Sequence, residues 1–180
     1  MTPDDFKRLW EADGDHLCPM SADELSGFEI PISARDFLIR VGLPEEAAPF
    51  LSFSRSSRAN ASLLLRTAIG PSEAPVVGST ASGDPVVVRL DGVIVYLNHD
   101  AGFAERYINK DVEAFAKTSL KMRQLIADAQ RLHGPDAYLD GLVPAALRED
   151  FRSFLVGVDS VAIKPGALWM DEIANWAEGS

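Results

Sequence analysis

The 180-residue chain has one cysteine, Cys18, so no internal disulfide can form, and a reducing, cytoplasmic setting is the expectation. It has no apolar run approaching the 18 or so residues that span a bilayer, and the opening MTPDDFKRLW lacks the pattern of a secretory leader. Repeats, low-complexity tracts and linkers are missing too, so a single domain over residues 1–180 is expected. Basic residues are scarce, 17 Lys and Arg against 27 Asp and Glu, for a net charge of −10. A nucleic acid or an anionic membrane is therefore disfavoured as a partner, since phosphate contacts need clustered cations. What remains is 47% hydrophobic and 24% charged, an ordinary globular composition that excludes global disorder.

The acidity is concentrated at the ends. Residues 1–30 carry net −6 and residues 136–180 net −5, around a middle of +1. The densest group is Asp4, Asp5, Asp13, Asp15, Asp23, Glu24 and Glu29, which would attract a basic partner and hasten its association. The same charges would also serve plain solubility.

Local signals divide the chain. Thr2, Pro3, Asp4 and Asp5 suit a helix start, with Phe6, Leu9 and Trp10 on one face. Residues 13–31 read as loop. Ser33 is expected to cap a short helix facing the core with Phe37, Leu38 and Val41, ended by Gly42 and Pro44. From Phe50 the pattern suggests strands at 50–54, 62–69, 74–80, 85–90 and 93–98. Asp91-Gly92 fits a two-residue type I′ hairpin, Ser82-Gly83-Asp84 a looser turn, and the three valines at 86–88 a central strand. Asn109 is expected to cap a helix of about six turns ending at His133-Gly134-Pro135. Further helices start at Pro144, burying Leu147, Phe151, Phe154 and Leu155, and span 167–177 with Trp169, Ile173 and Trp176. Trp10, Trp169 and Trp176 have core spacing. The expected fold is α+β, a mainly antiparallel sheet of about five or six strands packed by N- and C-terminal helices.

Chemistry is hard to place. His16, His99 and His133 are far apart, and His16 with Cys18 lacks the further ligands of a zinc site, so no metal is expected. Phosphate-loop, dinucleotide and nucleophile-elbow signatures are absent, and no cofactor is expected. Adjacent acids such as Asp171 and Glu172 point apart, unlike a paired acid and base. An enzyme using His99 at the end of a strand, or Cys18 as nucleophile, stays open as an alternative. No catalytic residue is assigned.

Five segments, LPEEAAPFLSF (43–53), AIG (68–70), PVVVRLDGVIVYLNHD (85–100), RYINKDVEAFAKTSL (106–120) and GALWMDEIANWAEG (166–179), together resemble the SUKH superfamily of bacterial immunity proteins, most closely its fourth subgroup. The likeness rests on the strand–Asp/Gly–strand hairpin, on Tyr107, Ile108, Asn109, Val112 and Phe115 opening the long helix, and on Trp169 in the closing one. It implies a non-enzymatic cytoplasmic protein that binds and neutralises a cognate toxin domain of a polymorphic toxin system, often a nuclease or deaminase. The seven N-terminal acids then become the candidate toxin-facing surface. Since some relatives of that superfamily are regulatory binding proteins, a protein-binding module unrelated to toxins is the other reading.

Overall fold

The computed structural model describes residues 1–176. In chain order the elements are α1 (Pro3–Glu11), β1 (Leu17–Cys18), α2 (Ile32–Arg40), β2 (Leu43–Pro44), β3 (Glu46–Ala47), β4 (Leu51–Ser52), α3 (Arg55–Ile69), β5 (Val76–Thr80), β6 (Pro85–Val88), β7 (Ile94–Asn98), β8 (Ala104–Asn109), α4 (Val112–His133), α5 (Ala145–Val158) and α6 (Leu168–Asn175). Strands β3 to β8 form a six-stranded sheet in sequence order with every neighbour antiparallel, and β1 pairs with β2 in a small second sheet. The α+β expectation is borne out.

Helix α1 starts on a capping box: Thr2 Oγ1 accepts from Asp5 N at 3.1 Å, and the Asp5 carboxylate accepts from Thr2 N at 3.1 Å. Phe6 and Trp10 are buried, but Leu9 is 41% exposed, because α1 packs against α4 along a stripe narrower than the expected one. The segment taken for loop contributes β1, held by Glu45 N donating to His16 O at 2.9 Å. Helix α2 is not capped by Ser33: it begins at Pro31, whose carbonyl accepts from Arg35 N at 3.0 Å. Proline's fixed φ prepares a helix start without a side-chain cap. At the other end Gly42 takes φ +80°, and a Cβ there would sit 2.3 Å from the Cys18 carbonyl carbon, so only glycine lets β1 approach.

The largest departure is residues 62–69, expected as a strand and found within the fifteen-residue helix α3. Residues 55–66 contain Arg, Ser, Ala, Asn and Leu and no β-branched residue, so helix propensity prevails, and Ser54 caps by accepting from Ser57 N at 3.1 Å. The buried positions Arg58, Ala61 and Leu65 follow the helical repeat. The strand expected at 50–54 shrinks to Leu51–Ser52.

The hairpin between β6 and β7 closes through three residues instead of two. Arg89 N donates to Val93 O and Gly92 N to Arg89 O, both at 2.9 Å, and Gly92 alone takes positive φ, at +88°. That is a turn followed by a left-handed glycine, the three-residue alternative to type I′. The valine run is central as expected: Val86 and Val88 join the main core, whereas Val87 packs with Val76, Val95 and Leu65 beneath α3. Helix α4 is capped by Asp111, which accepts from Ala114 N at 2.7 Å, and not by Asn109, which is the last residue of β8 and fully buried. In α5, Phe151 and Leu155 are fully buried, while Leu147 and Phe154 are half-buried. Both Phe151–Trp169 and Phe151–Trp176 ring centroids are 5.8 Å apart, so the tryptophans serve the core as expected. Residue 177, the expected last residue of the closing helix, lies outside the described residues.

Candidate partner-binding surface

The N-terminal acids lie along the path by which residues 1–30 cross three helices. Asp4 meets Arg40 of α2 at 3.3 Å. Asp5 is occupied by the capping box and by Arg8, and the Thr2 hydroxyl, then the Thr2 amide and Arg8, hold its carboxyl below the ordinary range. Asp13 and Asp15 lie 3.7 and 3.1 Å from Arg123 of α4. That guanidinium also donates to Leu9 O at 2.6 Å and Trp10 O at 2.9 Å, and sits 4.7 Å over the Trp10 ring. It therefore clips the end of α1 onto the long helix.

Glu24 closes a second capping box, accepting from Ser21 N at 2.8 Å, and pairs with Arg58 of α3 at 3.3 Å. Burial opposes its ionisation, but the hydrogen bonds from Ser21 and the charge of Arg58 outweigh it and hold the carboxyl low. Asp23 and Glu29 are exposed, with no ion pair among the described residues. The seven residues are thus not gathered into one unpaired patch. Asp4, Asp13 and Asp15 are exposed partners of bases, Asp5 and Glu24 terminate local turns, and Asp23 and Glu29 face solvent.

The two residues of the enzymatic alternative are not joined. Cys18 sits in β1, where burial and then Glu45 push its thiol above the ordinary value, which opposes a thiolate nucleophile. His99 follows β7 and places Nδ1 2.6 Å from Asp84, a carboxylate 6% exposed that also accepts from the His99 backbone N–H. The neighbour of Nε2 is another acid, Asp100, at 3.4 Å. The arrangement orients an imidazole but presents it no nucleophile among the described residues. Among those residues no group of three His, Cys, Asp or Glu could hold a metal, and no helix is long and apolar enough to cross a membrane.

Sequence reasoning missed two features. The sequence marks Asp84 only as a turn former, although it holds a histidine fifteen residues downstream. A strand at 62–69 separates Arg66 from Arg55 and Arg58, whereas α3 brings all three to the wall of one cleft of about 640 Å³. Their spacing of three and eight residues was the available signal. Beside that cleft runs a wider groove of about 900 Å³, lined by Glu29, Ile69, Glu73, Leu90 and Leu97 among others.

A family model described as SUKH-4 immunity protein matches residues 5–175. No curated protein and no solved structure matches the chain.

Proposed function

The chain belongs to the SUKH-4 immunity protein family, and from that premise we propose that it is a non-enzymatic cytoplasmic protein that binds and neutralises a cognate toxin domain directed at nucleic acid. The observation that carries the reading is the family match across nearly the whole chain, including the N-terminal acids from Asp5 onward. The chemistry of the fold agrees with a binding role. Cys18 has a thiol that resists ionisation, and His99 is committed to Asp84.

A toxin that handles nucleic acid presents Lys and Arg to phosphates, and a chain of net −10 attracts such a surface while repelling a duplex or an anionic membrane. Within the candidate set, Asp23 and Glu29 offer unpaired carboxylates, and Asp4, Asp13 and Asp15 offer exposed ones that can exchange an internal base for a partner's. Asp5 and Glu24 act behind them by fixing the turns on which the others sit.

Co-expression with the product of the adjacent gene, where that gene encodes a toxin domain, tests the reading: restored growth supports it, and continued killing by a soluble, folded pair overturns it. Changing Asp4, Asp13, Asp15 and Asp23 together to Asn then tests the surface. Association should slow by about tenfold, and its salt dependence should flatten, because rim charges act on the encounter rate. An unchanged rate would show that this acidity only solvates the protein.

A further inference from the structure

Helix α3 carries Arg55, Arg58 and Arg66 and no carboxylate, in a chain whose net charge is −10. The three arginines share one face of the helix and line a cleft whose opposite wall is the segment holding Met20, Ser21, Glu24 and Phe28. Arg58 is only 6% exposed; it donates to Phe53 O at 2.7 Å and to Glu24 at 3.3 Å, yet its Nε has no partner. A buried cationic N–H without an acceptor is costly, which marks a place where an added acceptor would be favoured. Arg55 and Arg66 are exposed and make no ion pair among the described residues.

We propose that this cleft docks an extended acidic segment of the partner polypeptide, with carboxylates on Arg55 and Arg66 and an apolar side chain between them against Leu63. The proposal rests on the toxin-binding reading for the identity of the partner, and on the cleft alone for its chemistry. A phosphate needs donors that converge, whereas Arg55 and Arg66 stand eleven residues apart, about 16 Å along a helix axis. The first and fifth residues of an extended peptide stand about 13 Å apart at about 3.3 Å per step, and the long Glu and Arg side chains take up the remainder. Leu63, 51% exposed between them, gives the middle of such a peptide an apolar seat. Glu24 already shows the chemistry, as a carboxylate of this chain lodged on Arg58. The cleft thus complements the N-terminal acids: carboxylates outside take the partner's bases, and guanidiniums inside take its acids.

The test titrates the full chain with an end-capped pentapeptide, Glu-Ser-Leu-Ser-Glu, whose first, third and fifth side chains share one face, following backbone amides and arginine Nε–H signals by NMR. Its amide counterpart, Gln-Ser-Leu-Ser-Gln, and inorganic pyrophosphate serve as comparison probes. The expected result is saturable shifts along α3 and at Arg58 Nε for the acidic peptide, weakened by about tenfold in R55Q/R66Q. Equal shifts with the neutral peptide, no saturation, or unchanged binding in R55Q/R66Q would overturn the proposal. Tighter binding of pyrophosphate at the same amides would overturn the carboxylate assignment. Arg55 and Arg66 are exposed, so an unchanged melting temperature in R55Q/R66Q separates lost binding from lost folding. Growth rescue by the parent chain is scored separately: its failure counts against the immunity reading and leaves the peptide result to decide the cleft.

Discussion

Replacing Asp159 by Ala should unravel the contacts that hold the C-terminal helices to the sheet. Asp159 is 3% exposed and stands at the end of α5. Tyr107 Oη donates to both its oxygens at 3.0 Å, Asn109 Nδ2 donates at 3.2 Å, Lys110 N at 2.8 Å and Val161 N at 3.3 Å. Asn109 in turn accepts from Trp169 Nε1 of α6 at 2.9 Å. One carboxylate therefore joins β8, the end of α5 and, through Asn109, α6.

Alanine leaves the Tyr107 hydroxyl free to turn to water, but strips the buried Asn109 amide and the Lys110 N–H of a strong acceptor. At about 1–3 kcal/mol for each orphaned buried donor, the expected loss is about 3 kcal/mol. With 180 residues and about 2.1 cal/mol/K of unfolding entropy per residue, this is a fall in Tm of about 8 °C. Tyr107→Phe removes one donor and orphans nothing, so about 1 kcal/mol and about 3 °C are expected. Calorimetry on both variants, with urea melts to confirm an unchanged m-value, reads the difference. A loss below about 1 kcal/mol for Asp159→Ala, or an equal loss for Tyr107→Phe, would refute the hub.

Gly42→Ala should break the small sheet, since a Cβ would meet the Cys18 backbone at 2.3 Å while φ stays at +80°. Gly134→Ala, at φ +98° and ψ 171° with nothing within 4 Å, should cost about 1–3 kcal/mol for its backbone conformation alone, without the steric clash. Melting temperature ranks the two, and fast amide exchange at Glu45 in Gly42→Ala reports the lost strand; equal costs would refute the close-approach argument. The hydrogen bond to Asp84 raises the His99 pKa above its ordinary 6.5. Its contribution to stability is therefore full below about pH 6.5 and is lost as pH rises through the higher folded value. Urea melts between pH 6 and 8 should show that slope in the parent and not in Asp84→Asn, and an NMR titration of His99 below 6.5 would refute it.

The sequence disclosed elements whose cause is local. The Thr2 cap, the long α4 and the central valines each depend on neighbours a few residues away. The misplaced features depend on distant ones. Asn109 has the chemistry of a cap, yet its side chain is drawn into the core by Trp169 and Asp159, sixty and fifty residues downstream. The motif Tyr107-Ile108-Asn109 and the closing Trp169 marked this network without revealing Asp159 as its centre. The same separation hid the fate of the acids: Asp15 meets its base 108 residues along the chain. The leucines of α3 read as a strand because three large apolar residues in a row carry no period, and with that period went the arginine face.

These placements change what an approaching partner would meet. An exposed carboxylate 3.3 Å from a guanidinium, as Asp4 is from Arg40, is nearly neutral beyond a Debye length of about 8 Å. Under the toxin-binding reading, long-range attraction then comes from the unpaired charges. Near α3 these have opposite signs: Arg55 and Arg66 along the cleft, Glu29 and Glu73 along the groove. Cleft and groove share Pro71, Ser72 and Ala74, so the two signs meet across a single loop. A surface of one sign would draw any oppositely charged protein in many orientations. Two signs side by side admit a partner in one register and repel the reversed one, since like charges brought together cost several kcal/mol. Under that reading helix α3, on the face of the sheet opposite the main core, selects the partner's orientation, while unpaired acids of residues 1–30 such as Asp23 and Glu29 set how fast a basic one arrives.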